Sequence, residues 1–69
     1  MPGAYMTKMQ AVAYIMTTLG IGRSVVMRAM DILENQKDIT FEQAPLDARV
    51  QRISQEDVEK LIAYIKEYI

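Results

Sequence analysis

A chain of 69 residues can form one small domain, and folding at this size buries only about 60% of the surface that the unfolded chain exposes. Cysteine and histidine are both absent, which removes disulfides, thiolate nucleophiles and the commonest general base and metal ligand. We therefore expect a binding protein and not an enzyme, with neither a metal nor a cofactor. No apolar run approaches the roughly 20 residues of a membrane span, so we expect no membrane partner and a cytoplasmic location.

Regular structure is predicted to begin at Thr7. Residues 1–6 contain proline and glycine without any periodicity, so we expect a flexible leader, followed by a single domain over residues 7–69. Thr7 and Gln10 have the spacing of a capping box, in which each side chain accepts a hydrogen bond from a backbone N–H at a helix start. The first predicted helix runs from this cap to about Thr18.

Apolar side chains surround most of the first predicted helix. One face carries Met9, Val12, Ala13, Met16 and Leu19. Because the shared core of so small a domain covers only one side of a helix, the remaining apolar side chains predict a homodimer. The expected interface consists of Ala11, Tyr14 and Ile15 from this helix with Tyr64 and Tyr68 near the carboxyl end. Two alternatives to a dimer remain open: the leader covers Ala11 and Ile15, or the tyrosine of this helix, Tyr14, is simply exposed.

The stretch Leu19-Gly20-Ile21-Gly22 predicts a break between two helices. Gly20 fits the left-handed residue that commonly ends a helix, and Gly22 can serve as the N-cap of the next one. The second helix is predicted from Arg23 to about Glu34. Its apolar face consists of Val26, Ala29, Met30 and Leu33.

A hairpin is predicted between the second and third helices, over residues 38–53. The first strand is expected at Ile39-Thr40-Phe41, the tip at Gln43–Asp47 and the second strand from Ala48 to about Arg52. Ser54 with Asp57 three residues later gives a second capping pattern. The last helix follows, with Val58, Leu61, Ile62, Ile65 and Ile69 at helical spacing.

The order helix, tight turn, helix, hairpin, helix predicts a mainly α fold with a small β-hairpin, a winged helix-turn-helix. Residues 19–30, LGIGRSVVMRAM, resemble the turn and recognition helix of bacterial helix-turn-helix repressors, with Gly20, Ile21 and Val26 at matching positions. Residues 52–61, RISQEDVEKL, resemble the exit from strand to helix in MerR-like and phage-excisionase-like winged helices.

This resemblance implies a small DNA-binding transcriptional regulator or a DNA-organising accessory protein. Its recognition helix, residues 23–34, would enter the major groove, and its wing, residues 38–53, would lie on the backbone. A dimer would recognise palindromic double-stranded DNA and be associated with the nucleoid. The residues expected to contact DNA are Arg23, Ser24, Met27, Arg28, Arg49 and Arg52, which include all four arginines of the chain.

An alternative is a winged-helix module that docks on another regulator or on a polymerase without binding DNA. The net charge of −1 and the isoelectric point of about 5.2 favour this alternative, because nucleic-acid-binding domains are usually basic. On this interpretation the arginines are exposed to solvent without binding DNA, and Val25 with Met27 forms an apolar surface for the protein partner.

Overall fold

The computed structural model describes residues 5–68, with three helices and a three-stranded antiparallel sheet in that range. The elements are β1 (Tyr5–Thr7), α1 (Lys8–Leu19), α2 (Arg23–Asn35), β2 (Glu42–Ala44), β3 (Asp47–Ser54) and α3 (Gln55–Lys66). The prediction of a mainly α chain with a small β-hairpin is confirmed at that level, but the hairpin belongs to a three-stranded sheet that the sequence did not predict. Residues 1–4 of the expected leader and Ile69 of the last apolar stripe lie outside the described range. None of the helices within that range is both long and apolar enough to cross a bilayer.

Local hydrogen bonds fix the helix ends where the sequence predicted them. The backbone N–H of Gln10 donates to the Thr7 hydroxyl at 3.1 Å, and the N–H of Thr7 donates to the Gln10 amide oxygen at 3.0 Å. Gly20 ends α1 in the left-handed conformation, with φ at 65° and its N–H bonded to the carbonyl of Met16. At the start of α3 the N–H of Asp57 donates to the Ser54 hydroxyl.

The sheet has the order β1-β3-β2, which places β3 in the centre. Tyr5 pairs with Ser54 and Met6 with Ile53, so the last two residues of the expected leader belong to a strand instead. The strand expected at Ile39-Thr40-Phe41 is wrong, because β2 begins at Glu42.

Residues 39–41, before β2, alternate between apolar and polar without forming a strand. Ile39 is only 2% exposed and joins the core, and Phe41 packs partly against it. The backbone N–H of Thr40 donates to the carboxylate of Asp57 at 3.1 Å, at the start of α3. These residues therefore anchor a loop to the core and to α3.

The hairpin between β2 and β3 turns at Pro45 and Leu46. Within the predicted tip, Gln43, Ala44 and Asp47 therefore lie in strands. Gln43 pairs with Gln51 and Ala44 pairs with Asp47, so residues 48–50 of β3 form a bulge between two pairs that are adjacent on β2. Bulges redirect side chains and increase the local twist of a strand.

All three helices and the sheet contribute to one hydrophobic core. Its buried residues are Ala11, Val12, Ile15, Val26, Ala29, Met30, Leu33, Ile39, Ile53, Val58, Leu61 and Ile65. The core-facing side of α1 overlaps the predicted one in part. Val12 is buried and Met16 and Leu19 pack against the core, but Met9 is 60% exposed, whereas Ala11 and Ile15 are fully buried. Assigning Ala11 and Ile15 to a dimer interface was therefore wrong, because the domain's own core already covers both side chains.

Candidate nucleic-acid interface

The amino end of α2 is open to an anion. Gly22 is the N-cap, with φ at −78° and ψ at 160°, and among residues 5–68 no side chain accepts a hydrogen bond from the first backbone N–H groups of this helix. Arg23 and Ser24 follow directly and are both exposed. Unpaired N–H groups and the helix dipole attract phosphate at such an end, and the guanidinium of Arg23 adds a full positive charge.

Arg23 is close to the start of α1. Its Nη2 atom lies 3.9 Å from the sulfur of Met9, which is itself largely exposed. Met9 also borders a concave surface of about 370 Å³ between the start of α1 and strand β3. This concavity is lined by Thr7, Lys8, Met9, Arg49, Val50 and Gln51. We call this concavity, together with Arg23 beside Met9 at its edge, the basic cleft; its cations are Lys8, Arg23 and Arg49.

Arg49 brings the charge of the hairpin to the basic cleft. It lies in the bulge of β3, and its side chain is 92% exposed. Its Nε atom lies 3.4 Å from a carboxylate oxygen of Asp47, which also accepts a hydrogen bond from the backbone N–H of Arg49. Exposed ion pairs contribute at most about 1 kcal/mol, so Asp47 orients Arg49 without preventing its contact with a phosphate.

Lys8 is a member of the cleft that sequence reasoning missed. Its ammonium lies 4.8 Å from the centre of the Phe41 ring, within range of a cation–π interaction. The capping box at Thr7 makes Lys8 the first residue of α1, but only the packing of β3 beside α1 brings it near Arg49.

Arg28 lies on another side of α2. Five residues along a helix correspond to a rotation of about 140°, so Arg28 diverges from Arg23 and borders a groove between α2 and α3. It remains exposed. The structure thus separates the two arginines of α2, and only Arg23 belongs to the basic cleft.

Arg52 is held within the sheet and does not extend into the cleft. Its guanidinium lies 4.4 Å from the centre of the Tyr5 ring, and Glu42 is opposite it on β2. The Nε atom is enclosed and has no hydrogen-bond partner among the described residues. The carboxylate of Glu42 raises the pKa of Tyr5, by hydrogen bonding to the phenol and by repelling phenolate.

Val25 and Met27 do not form the shared apolar surface expected of a protein-docking module. Residues two apart on a helix point to nearly opposite sides. Val25 is 45% exposed and borders the groove between α2 and α3, whereas Met27 is half-buried against the core. Met27 is therefore mainly a packing residue.

Of the residues expected at a dimer interface, the three tyrosines are accessible. Tyr14 is 47% exposed on α1, and the rings of Tyr64 and Tyr68 lie 5.0 Å apart at an angle of 51°. Acidic side chains occupy the outer surface farther along α2, where Asp31 and Glu34 are exposed. These acids confine the surface suited to an anion to the first half of α2.

The chain matches no protein-family model, no curated protein and no solved structure.

Proposed function

We propose that this chain is a small DNA-binding protein of the winged helix-turn-helix type, acting as a regulator or a DNA-organising accessory protein. In this proposal the first half of α2 enters the major groove and the hairpin of β2 and β3 lies along the phosphate backbone. One observation carries it: Met9 contacts Arg23 of α2 and borders the same cleft as Arg49 of the hairpin. Met9 thus connects the arginine of the helix to the concavity that the arginine of the hairpin borders.

Each part of this surface has a chemistry suited to a duplex. The major groove, about 12 Å wide, admits a helix, and an arginine fork binds phosphate or the edge of guanine. Arg23, with the open amino end of α2, supplies a phosphate site, and Arg49 supplies a second one from the hairpin. Ser24 and Arg28 are four residues apart, so they are exposed on one side of α2; this side lies next to the basic cleft and not within it, and we assign the two residues to base edges.

The acidic composition is compatible with this proposal because the relevant charges are local. Aspartate and glutamate outnumber lysine and arginine by nine to eight, yet three cations, Lys8, Arg23 and Arg49, lie at the basic cleft beside one carboxylate, that of Asp47 paired with Arg49. Few phosphate contacts give a modest affinity that depends strongly on salt.

Fluorescence anisotropy of a labelled mixed-sequence duplex, measured at several salt concentrations, tests the proposal. If Lys8, Arg23 and Arg49 each contact a phosphate, we expect the logarithm of the association constant to fall with the logarithm of salt concentration at a slope of about −2.7, which is about −0.9 for each contact. A protein that is folded by circular dichroism but does not bind at low salt would refute DNA binding. If Arg28 contacts a base, Arg28→Gln should then weaken the binding free energy for a preferred DNA sequence by about 1–3 kcal/mol.

A further inference from the structure

A second concave surface lies between α2 and α3, away from the basic cleft. It has a volume of about 370 Å³ and is open to solvent on one side. We call it the tyrosine groove; its lining consists of Val25, Arg28, Ala29, Ile32, Tyr64, Ile65 and Tyr68. This volume falls at the lower end of the range of about 300–1,000 Å³ that is typical of small-molecule sites.

The walls of the tyrosine groove are mostly apolar and partly aromatic. Val25 is 45% exposed and Tyr68 is 73% exposed, so both present apolar surface that a ligand could cover. The ring of Tyr64 is tilted against that of Tyr68, with centroids 5.0 Å apart. A third aromatic ring can stack on this pair or meet its edge, and contacts of this kind stabilise beyond the area they bury.

Arg28 gives the groove its charge. It is the one charged side chain in the lining, it is exposed, and no carboxylate among residues 5–68 forms an ion pair with it. Its planar guanidinium can bind a carboxylate through two parallel hydrogen bonds. The hydroxyl of Tyr64 is neutral at physiological pH and can donate, and burial and the neighbouring Tyr68 raise its pKa further.

We propose that the tyrosine groove binds a small aromatic carboxylate, with its ring against Val25 and the two tyrosines and its carboxylate on Arg28. The size of the groove favours this occupant over a protein, because a stable protein interface buries about 800 Å² on each partner. Binding of such a ligand does not require DNA and can be tested in its absence. An occupied groove engages the guanidinium of Arg28, which the proposed function assigns to DNA, so the ligand would compete with DNA at that residue.

An NMR titration of the full chain with 2-naphthoate tests this site, and 2-naphthamide serves as the neutral ligand of matched shape. We expect naphthoate to shift the amide resonances of Val25, Arg28 and Ile32 and to bind roughly three- to tenfold more tightly than the amide, as an exposed charge-assisted contact allows. Arg28→Gln should abolish this preference, whereas Arg23→Gln makes the same charge change outside the groove and should leave it intact.

Three results would overturn the inference. Equal affinity for the acid and the amide would show that Arg28 does not bind the carboxylate. Resonance shifts confined to residues outside the groove would show that the ligand does not bind there. A concentration-dependent dimer in sedimentation equilibrium that is lost on Val25→Ser would show that a second copy occupies the groove. Val25 and Arg28 are exposed, so neither variant removes a core contact, and circular dichroism of each provides the check on folding.

Discussion

The guanidinium of Arg23 lies 3.9 Å from the sulfur of Met9, which joins the first residue of α2 to the second residue of α1. Their contact brings the starts of two helices together on one surface. Arg49 approaches the same surface from β3. Met9 therefore contacts Arg23 on one side and borders, with Arg49, the concavity on the other.

Replacing Arg23 should weaken DNA binding equally on all sequences. Arg23→Gln removes one phosphate contact, so we expect the salt slope to become shallower by about 0.9. Lys66→Gln is the matched control, since it removes an exposed positive charge near the end of α3 and should leave the slope unchanged. Anisotropy titrations of both variants make the comparison, and equal slopes for Arg23→Gln and the unmodified chain would remove Arg23 from the interface.

Replacing Ile15 should unfold the domain and not merely dissociate a dimer. The side chain is fully buried in the core, and shortening such a residue to alanine costs about 2–5 kcal/mol. We expect a large fall in the thermal midpoint of Ile15→Ala by circular dichroism. Tyr14→Ser, at the adjacent exposed position, should change the free energy of unfolding little. A stable Ile15→Ala monomer would contradict the burial of this side chain.

The capping box at Thr7 should contribute measurably to stability. Thr7→Ala removes the acceptor for the N–H of Gln10, and losses of this kind cost about 0.5–2 kcal/mol. Urea unfolding followed by circular dichroism measures the change. Thr17→Ala, on the exposed side of α1, is the control and should be neutral or slightly stabilising, because alanine favours the helix interior.

The two glycines between α1 and α2 should respond differently to substitution. Gly20 has a φ of 65°, so Gly20→Ala imposes a left-handed alanine and should cost about 1–2 kcal/mol, although no atom lies within 4 Å of the added Cβ. Gly22 has an ordinary extended backbone, and Gly22→Ser should stabilise the start of α2 by a few tenths of a kcal/mol, since serine is a better N-cap. Equal effects in urea unfolding would contradict the assigned backbone conformations.

The phenol of Tyr5 should titrate at a higher pH than free tyrosine. Glu42 raises the pKa of Tyr5, so the folded state favours the neutral phenol. Its contribution to stability is fully present below the ordinary pKa of about 10 and is lost as the pH rises through the raised value in the folded protein. Glu42→Gln should lower the pKa of Tyr5, as measured by NMR of its ring. No change would show that Glu42 does not act on the phenol.

Local signals predicted the ends of the helices, whereas non-local contacts decided the rest of the fold. The caps at Thr7 and Ser54 and the left-handed Gly20 depend on residues within four positions, so the sequence identified them. The strand at Tyr5 depends on pairing with β3, far along the chain, and no nearby residue indicates it. Residues 39–41 were predicted as a strand because a loop that anchors in the core can show the same alternation of apolar and polar residues.

The sequence indicated which kinds of residue form the candidate site, but not which of them lie together. The arginines pointed to an anionic partner, and Arg23 and Arg49 do share the basic cleft. Arg52 stacks on Tyr5, and this contact arises only once β1 has paired with β3. Lys8 joins the cleft through the same tertiary packing.

Strand β1 also has a consequence for the order of folding. The pairing of Tyr5 with Ser54 closes a loop over residues 5–54, which includes every element except α3, and the entropy of such a closure delays contacts of this kind. Thr7 ends this strand and caps α1, so one residue couples the slow closure of the sheet to the first turn of a fast-forming helix. In refolding kinetics, substitutions in β1 should therefore accelerate unfolding more than they slow folding.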